Sequence, residues 1–183
     1  YTGEKISITP LAFITRAVVK ALKTYPIFNS SLDLVNEEII YKKYYHVGIA
    51  VDTPHGLMVP KIRNVDKKDI REIGKDLKKV SKLSAELKID KKEFFGGSIT
   101  ISSLGSIGGS FFTPIINSPE VAILGVGRAE KKQVFIKDKY ESRIMLPLSL
   151  SYDHRVINGA EAARFCAHLK ESLGKDFAYK LAV

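Results

Sequence analysis

The segment from Ser149 to Phe165, SLSYDHRVINGAEAARF, places a histidine, His154, directly behind an apolar run. The pKa of histidine lies near neutrality, so its imidazole can accept a proton from a thiol or hydroxyl and return it. His154 falls where a predicted strand ends and a turn containing Gly159 begins, which is a rigid edge suited to presenting side chains to a cleft. From these residues alone, a general base and a structural histidine are equally supported.

Serine hydroxyls at a strand end form a second candidate group. Ser102 and Ser103 close the β-branched run SITISS, just before the glycine-rich segment LGSIGG. A hydroxyl there can donate a hydrogen bond to an oxyanion, although serines are common at strand ends and a structural role is favoured. The pattern G-x-S-x-G is absent, and GSIGG precedes neither a Lys-Ser/Thr pair nor a helical pattern. The sequence therefore indicates neither a nucleophile elbow nor a phosphate loop.

The other histidines and the single cysteine are better explained by structure. His168 lies among Lys and Glu on a helix and is expected at the surface, His55 falls in the turn PHG, and His46 opens a strand. Cys166 falls on the apolar stripe of the last helix and is predicted to be a small buried residue. One cysteine permits no internal disulfide and no multi-thiolate site, and no His, Asp and Glu cluster has metal-ligand spacing. We therefore predict no metal.

Apolar periodicity predicts the elements that position these residues. Helices are predicted from Thr9-Pro10 to Tyr25, from Asp69 along a stripe that ends at Leu87, and from Gly159 onward. Strands are predicted in VGIAVDT, SITIS and VAILGVG, and a hairpin in QVFIKDKYESRIMLPLSLSY with KDKYES at its tip. The run MLPLSLSY is expected to be a buried strand. Helices and strands mix without regular βαβ alternation, which predicts an α/β fold of two layers, a mixed β-sheet with packed helices.

Length and composition favour one compact domain. The chain has 183 residues, 45% of them hydrophobic, and a net charge of +9 carried mostly by Lys among acids, as in DKKDIREIGKDLKK. This pattern favours a solvated helix face over nucleic-acid binding, while a phosphorylated small molecule is a further partner class. No apolar run approaches the roughly 20 residues of a membrane span, and YTGEKISITP is unlike a signal peptide. We expect a soluble, intracellular fragment of a longer protein.

Several separated motifs, in the right order, resemble a known family. FTPIINSPEVAILGVG, SITISSLG and SYDHRVINGAEAARF, together with DLVNEEIIYKKYYHVGIAVDTPHGLMVPKIRNVD, resemble the catalytic domain of the dihydrolipoamide acyltransferases of 2-oxo acid dehydrogenase complexes. Within that family, ISSLG and YDHRVINGA are most like the pyruvate dehydrogenase acetyltransferase. The resemblance implies a coenzyme A-dependent acyltransferase fold, like that of chloramphenicol acetyltransferase, over residues 1–183. It also implies that an N-terminal arm and the lipoyl and peripheral-subunit-binding domains are missing from this chain.

The resemblance also assigns catalytic roles. The family motif His-x-x-x-Asp/Asn-Gly corresponds to His154, Asn158 and Gly159. By this resemblance His154 is the general base that deprotonates the thiol of coenzyme A or of dihydrolipoamide, and Ser102, in the family's T-x-S position, stabilises the tetrahedral oxyanion. Many relatives have Asp where this chain has Asn158. A neutral amide cannot offset imidazolium charge, so we assign Asn158 to positioning the site and to hydrogen bonding.

Further positions are implied on the substrate side. Phe112, Asp52 and the backbone at Leu124 match positions that the family places near the pantetheine arm or the thiol channel. Asp153 and Arg155, which flank the base, are interpreted as a structural ion pair. Coenzyme A is implied as a substrate, and the lipoyl group is carried on a separate domain.

The implied assembly is a homotrimer in which His154 of one chain faces Ser102 of the next. Trimers assemble further into a cubic or larger core, for which the exposed apolar C-terminus FAYKLAV suits an inter-trimer contact. Partners would be the pyruvate decarboxylase and dihydrolipoamide dehydrogenase components, without nucleic acid or membrane. The location would be the bacterial cytoplasm or the mitochondrial matrix. A scaffold without activity, an acetyltransferase for a small alcohol or amine, and succinyl or branched-chain acyl groups remain alternatives.

Overall fold

The computed structural model describes residues 8–182; the predictions for the first seven residues and for Val183 lie outside the described residues. The α-helices of this part are α1 (Pro10–Thr24), α2 (Ile70–Ala85), α3 (Gly159–Ser172) and α4 (Phe177–Ala182). Short 3-10 helices cover Pro26–Asn29, Val65–Lys67 and Lys91–Phe94. The strands are β1 (Ser30–Asp33), β2 (Glu38–Tyr41), β3 (Val47–Ile49), β4 (Val51–Thr53), β5 (Gly56–Met58), β6 (Lys61–Ile62), β7 (Ile99–Ser103), β8 (Ala122–Val126), β9 (Glu130–Ile136), β10 (Lys139–Met145) and β11 (Leu148–Tyr152).

A five-stranded sheet in the order β11-β8-β7-β3-β6 forms the centre of the protein. Strand β7 runs parallel to both β3 and β8, whereas the edge strands β11 and β6 pair antiparallel with their neighbours. The mixed sheet is therefore confirmed. Strands β3 and β8 are buried along their whole length, as expected of strands covered on both faces.

The core lies between this sheet and a layer of helices. Helix α1 contacts both α2 and α3, and alternate sheet residues pack against them. Phe28 and Phe165 stack with ring centroids 4.1 Å apart in the middle of this layer. Both Phe residues are fully buried, so their packing contributes apolar burial of about 1.5–3 kcal/mol each. The two-layer α/β arrangement is thus the observed one.

Helix boundaries agree well with the sequence-based expectations. Thr9 is the N-cap of α1 with Pro10 in its first turn, and the helix ends before Tyr25. Asp69 caps α2 in a capping box with Glu72, in which each side chain accepts from the other residue's backbone N–H. Helix α2 ends earlier than its apolar stripe, because Leu87 lies beyond the last turn with φ +54° and is exposed.

Strand details differ from the expectations in two places. The hairpin of β9 and β10 turns at Lys137 and Asp138 alone, both with positive φ, and the rest of KDKYES belongs to β10. Two-residue turns of this kind match the right-handed twist of the flanking strands. The run MLPLSLSY forms no buried strand, because β11 is an edge strand of the central sheet and is only half-buried.

Two side chains on α3 are also placed differently. Cys166 is exposed, not buried, because it lies at the margin of the apolar stripe and lines an open groove between α3 and the β9–β10 hairpin. His168, expected at the surface, is half-buried with its ring edge-on to Tyr25 at 5.8 Å between centroids. The helical pattern gives the buried face correctly but does not show which neighbouring element covers its margins.

Candidate active site

His154 lies in the turn that joins β11 to α3. The backbone N–H of Asp153 donates to the carbonyl of Val121 at 2.8 Å, which fixes the turn to the start of β8. The carbonyl of Asp153 accepts from the Ile157 N–H at 3.0 Å, which closes the turn. The imidazole of His154 is exposed and lies 5.6 Å from the Tyr152 ring, centroid to centroid. It forms no hydrogen bond within residues 8–182. The ring is therefore held in place by the turn and remains accessible to a reactant.

Asp153 and Arg155 form the ion pair expected from the sequence. Arg155 Nε and Nη2 donate to the Asp153 carboxylate at 2.9 and 2.7 Å, and the Arg155 backbone N–H donates to the same carboxylate at 3.0 Å. These hydrogen bonds from Arg155 lower the pKa of the Asp153 carboxyl below its ordinary value. The carboxylate is thereby committed to shaping the turn.

Asn158 ends the turn as the N-cap of α3. Its Oδ1 accepts from the Glu161 N–H at 3.0 Å, and the Glu161 carboxylate accepts from the Asn158 N–H at 3.5 Å, which completes a capping box. Asn and Asp are equally good N-caps, so an amide at this position serves this function as well as a carboxylate would. A positioning role for Asn158 therefore has a specific structural basis four residues after His154.

Ser102 lies at the end of β7, opposite Gly125 of β8. Its side chain is partly exposed, and its hydroxyl has no hydrogen bond within the described part of the chain. The ring of Phe112 lies over Gly125, so close that a Cβ added there would be 2.9 Å from Phe112 Cζ. Neighbouring residues of paired strands project to the same face of a sheet, so the Phe112 ring lies over the face that carries the Ser102 side chain. Ser102, the predicted oxyanion donor, and Phe112, a predicted substrate-side residue, therefore lie on the same face of the sheet.

The two other predicted substrate-side residues have different environments. Asp52 is exposed on β4. It follows Ile49, the last residue of β3, by three positions, and Ile49 pairs with Ile101, the residue before Ser102. Asp52 therefore lies at the same end of the sheet as Ser102. The Leu124 side chain is fully buried in the core between sheet and helices. Any contact of Leu124 with a substrate is consequently left to its backbone, which lies within a strand paired on both sides.

Ser102 and His154 lie at opposite ends of the sheet. Strand β8 lies between β7 and β11. Ser102 of β7 pairs with Gly125 near the end of β8, whereas Tyr152 of β11 pairs with Ala122 at its start. At about 3.3 Å per residue and about 4.8 Å per strand, this register separates Ser102 from His154 by roughly 19 Å. A base and an oxyanion donor that act on one carbonyl must approach within a few ångströms of it. If both residues act on one carbonyl, a single protomer provides two half-sites, one at Ser102 and one at His154, and no complete site.

A buried polar cluster beside the Ser102 half-site was not predicted. Glu120, just before β8, forms an ion pair with Lys61 at 2.7 Å and accepts from the Thr100 hydroxyl at 2.6 Å. Lys42 lies nearby and donates to the Gly97 carbonyl at 2.8 Å. Burial lowers the pKa of its ammonium group to about 8, although the negative charge of Glu120 acts to raise that pKa. The only hints in the sequence were Gly48 and Gly97, whose lack of side chains makes room for this cluster.

Within the described residues, no group of three His, Cys, Asp or Glu side chains is arranged to bind a metal ion. In the same part of the chain, none of the helices combines the length and the apolar character needed to cross a bilayer.

Comparison with known proteins places this geometry in context. The family model for the 2-oxoacid dehydrogenases acyltransferase (catalytic domain) matches residues 1–178. The dihydrolipoyllysine-residue acetyltransferase component of the pyruvate dehydrogenase complex of Haemophilus influenzae is 50% identical over 164 residues, which is 90% of this chain and 29% of that protein. That of Buchnera aphidicola from Schizaphis graminum is 52% identical over 166 residues, 91% of this chain and 41% of that protein. The chain thus spans less than half the length of these curated relatives.

Solved structures show the same architecture. The dihydrolipoamide acetyltransferase of Azotobacter vinelandii, studied for the role of a serine, a histidine and an asparagine in its catalytic mechanism, superposes with a TM-score of 0.92 at 46% identity. The match covers 96% of this chain and 72% of that one. The cubic core of a pyruvate dehydrogenase multienzyme complex gives the same TM-score at 47% identity and the same coverage. Chloramphenicol acetyltransferase shares the fold alone: it is 14% identical and superposes with a TM-score of 0.60. That match covers 90% of this chain and 77% of the chloramphenicol acetyltransferase chain.

Proposed function

Because the chain belongs to the family of 2-oxoacid dehydrogenase acyltransferase catalytic domains, we propose that it transfers an acetyl group between coenzyme A and the dihydrolipoyl thiol of a lipoyl domain. The relatives that support acetyl as the acyl group are all acetyltransferase components of pyruvate dehydrogenase complexes. The same relatives support a role as the core of such a complex. We further propose that its decarboxylase and dihydrolipoamide dehydrogenase components are partners and that the protein is located in the cytoplasm of a bacterium.

In this proposal His154 is the general base. A free thiol with a pKa of about 8.5 is only a few per cent thiolate near pH 7, so an imidazole that takes up the proton raises the concentration of the nucleophile. The thiolate attacks the carbonyl carbon of the acyl thioester and forms a tetrahedral oxyanion. Collapse of this intermediate breaks the original C–S bond, and the departing thiolate takes the proton back from the His154 imidazolium.

Ser102 is the proposed oxyanion donor. A hydrogen bond to a developing oxyanion is typically worth about 3 kcal/mol, and the free Ser102 hydroxyl is available to make it. Support also comes from spacing along the chain. The serine, histidine and asparagine studied in the Azotobacter vinelandii enzyme are separated by the same numbers of residues as Ser102, His154 and Asn158. Phe112, Asp52 and the backbone at Leu124 remain proposed contacts for the pantetheine arm.

The observation that carries the proposal is the separation of the two half-sites. His154 and Ser102 are too far apart within one protomer to act on one carbonyl, yet each is accessible and lacks a hydrogen-bond partner in the described residues. A second copy that brings its Ser102 opposite His154 would complete the site. The proposed trimer, assembled further into a cubic core, supplies such a neighbour to every protomer.

The activity is tested by acetyl transfer from acetyl-coenzyme A to dihydrolipoamide, catalysed by the full-length chain. His154→Ala is expected to lower kcat by about 10²–10⁴-fold and Ser102→Ala by about 10²-fold or more. His55→Ala, in an exposed turn, is the matched control and retains the wild-type rate. Equal rates for wild type and His154→Ala would overturn the assigned role, and an inactive wild type would favour a scaffold.

The shared site has its own test. Chains with His154→Ala and chains with Ser102→Ala are each expected to be at least about 10²-fold slower than wild type, but a co-assembled mixture contains sites that take Ser102 from the first chain and His154 from the second. We expect the mixture to recover a substantial fraction of the wild-type rate. A mixture as inactive as its two components would exclude a site shared between subunits.

The acyl group is tested on the same assembly. Acetyl-, succinyl- and isobutyryl-coenzyme A are compared as donors, and the acetyl donor is expected to give the highest kcat/KM. A higher kcat/KM for either larger donor would reassign the substrate while leaving the chemistry of His154 unchanged.

A further inference from the structure

Three polar side chains are buried on the sheet face that carries Ser102, and the proposed chemistry does not use them. Lys61 on β6, Thr100 on β7 and Glu120, two residues before β8, expose only 3%, 1% and 5% of their surface. Charged side chains are almost never buried to this extent unless they are paired, because removing them from water is costly. Such a cluster at the centre of a sheet therefore calls for a specific role.

A single carboxylate organises the cluster. Glu120 Oε1 lies 2.7 Å from Lys61 Nζ and 3.2 Å from Asn117 Nδ2, and Glu120 Oε2 accepts from the Thr100 hydroxyl at 2.6 Å. We call these four residues the Glu120 network. The network joins the edge strand β6 to the inner strand β7 and to the segment that leads into β8.

The surrounding backbone is shaped to admit the Glu120 network. Strand β3 lies between β6 and β7, and its Gly48 lets the Lys61 side chain cross: a Cβ at this position would be 2.7 Å from Lys61 Nζ and 2.6 Å from Thr100 Oγ1. At Gly97, a Cβ would overlap the Glu120 carboxylate. Neither position accepts a side chain while the network is intact.

The network also lies between the two half-sites. Thr100 precedes Ser102 by two residues on β7, so both side chains project from the same face of the strand. Val121, adjacent to Glu120, accepts the backbone hydrogen bond of Asp153 that fixes the His154 turn. The segment Glu120-Val121 is thus bonded through a side chain to the strand of Ser102 and through its backbone to the turn of His154.

We propose that Glu120 is a positioning residue for acyl transfer: through Thr100 it fixes β7, and with it Ser102, relative to the His154 turn. This inference rests on the proposed function, because the relative position matters to the rate only if both residues act in catalysis. When every site takes Ser102 from one protomer and His154 from the next, a displacement of Ser102 within its own protomer misplaces the oxyanion donor in the site it shares with the neighbour. Displacements of about 1 Å can lower a rate by about 10²-fold.

Thr100 offers the mildest way to disturb the network. Thr100→Val removes the hydroxyl but retains the shape and the preference for a strand, whereas Thr100→Ser retains the hydroxyl. In the full-length chain, well below its melting temperature, Thr100→Val is expected to lower kcat at least about tenfold, with the KM for coenzyme A unchanged. Thr100→Ser is expected to remain within about twofold of wild type. A wild-type kcat in Thr100→Val would overturn the proposal.

A mixed assembly separates positioning from a general loss of stability. In the mixture of His154→Ala and Ser102→Ala chains, every complete site takes its Ser102 from a His154→Ala chain, because only these chains retain that serine. Thr100→Val placed in those chains is expected to lower the recovered rate about tenfold, whereas Thr100→Val placed in the Ser102→Ala chains leaves it unchanged. Equal losses in the two arrangements, or no loss in either, would overturn the positioning role. An inactive mixture without Thr100→Val would overturn the shared site itself, and this inference with it.

Discussion

The two half-sites are held in place in different ways. The His154 turn is formed largely by residues within a few positions of one another: Arg155 binds Asp153, and Asn158 caps α3 with Glu161. The Ser102 half-site depends on residues that are distant in sequence. Phe112 packs over β8, and the Glu120 network pairs residues 59 positions apart. Apart from the backbone bond of Asp153 to Val121, the His154 turn is therefore held by local contacts, whereas the Ser102 half-site is a product of the complete fold.

This difference bears on how each half-site responds to mutation. Local hydrogen bonds at an exposed turn are worth about 1 kcal/mol each, and water can replace them. A buried charge that loses its partner has no such replacement. We therefore expect substitutions around Ser102 to cost more stability than substitutions around His154, although His154 is the more exposed of the two side chains.

Glu120→Ala is expected to have the largest effect. It leaves the Lys61 ammonium group buried without a partner, which costs about 3–5 kcal/mol of unfolding free energy. Urea unfolding followed by circular dichroism measures the loss. Glu93→Ala, which removes the partner of the half-exposed Arg63, is the matched control and should cost about 1 kcal/mol or less. Similar losses in the two variants would contradict the contrast between the half-sites.

Gly125→Ala is expected to rank second. The new Cβ would lie 2.9 Å from Phe112 Cζ, so the ring must move, and overpacking of this kind costs about 1–3 kcal/mol. Gly159→Ala provides the control in the His154 turn, because its Cβ would make an ordinary contact of 3.8 Å with the Tyr152 hydroxyl. Thermal melts compare the two variants. A melting temperature lowered more by Gly159→Ala than by Gly125→Ala would reverse the predicted order.

Asn158→Ala removes the N-cap of α3 and is expected to cost about 1 kcal/mol. Asn158→Asp retains an acceptor for the Glu161 N–H, so its stability should stay within a few tenths of a kcal/mol of wild type. The urea midpoints of the two variants test this prediction. If both variants lose the same stability, capping is not the structural role of Asn158.

Arg155→Ala is expected to have the smallest effect and a characteristic pH dependence. Arg155 lowers the folded-state pKa of Asp153, so the stabilisation is fully present above the ordinary Asp pKa of about 3.9 and is lost as the pH falls through the lower folded-state value. The urea midpoints of wild type and Arg155→Ala should therefore differ at pH 7 and converge as the pH is lowered below about 4. A difference that grows on acidification would contradict this assignment.

The same contrast explains what the sequence could predict. The strand ends of Ser102 and His154, the ion pair beside His154 and the starts of α1 and α2 all follow from local patterns. The Glu120 network could not be predicted, because nothing near Glu120 in SPEVAIL indicates a partner in β6. Cys166 was misplaced for a related reason: a helical stripe shows which face is apolar but not whether the β9–β10 hairpin covers it. The distance between Ser102 and His154 required the strand register.

Gly48 and Gly97 limit which residues can be substituted at Lys61, Thr100 and Glu120, although these positions are distant in sequence. Each is incompatible with a side chain as long as Lys61, Thr100 and Glu120 retain their present sizes. A mutation at Gly97 is therefore tolerated only where the charged pair has already been lost, and one at Gly48 only where Thr100 has changed as well; loss of one charge alone is itself harmful. The expected pattern among homologues is joint inheritance, in which lineages keep the two glycines and the ion pair as a set or replace the whole set.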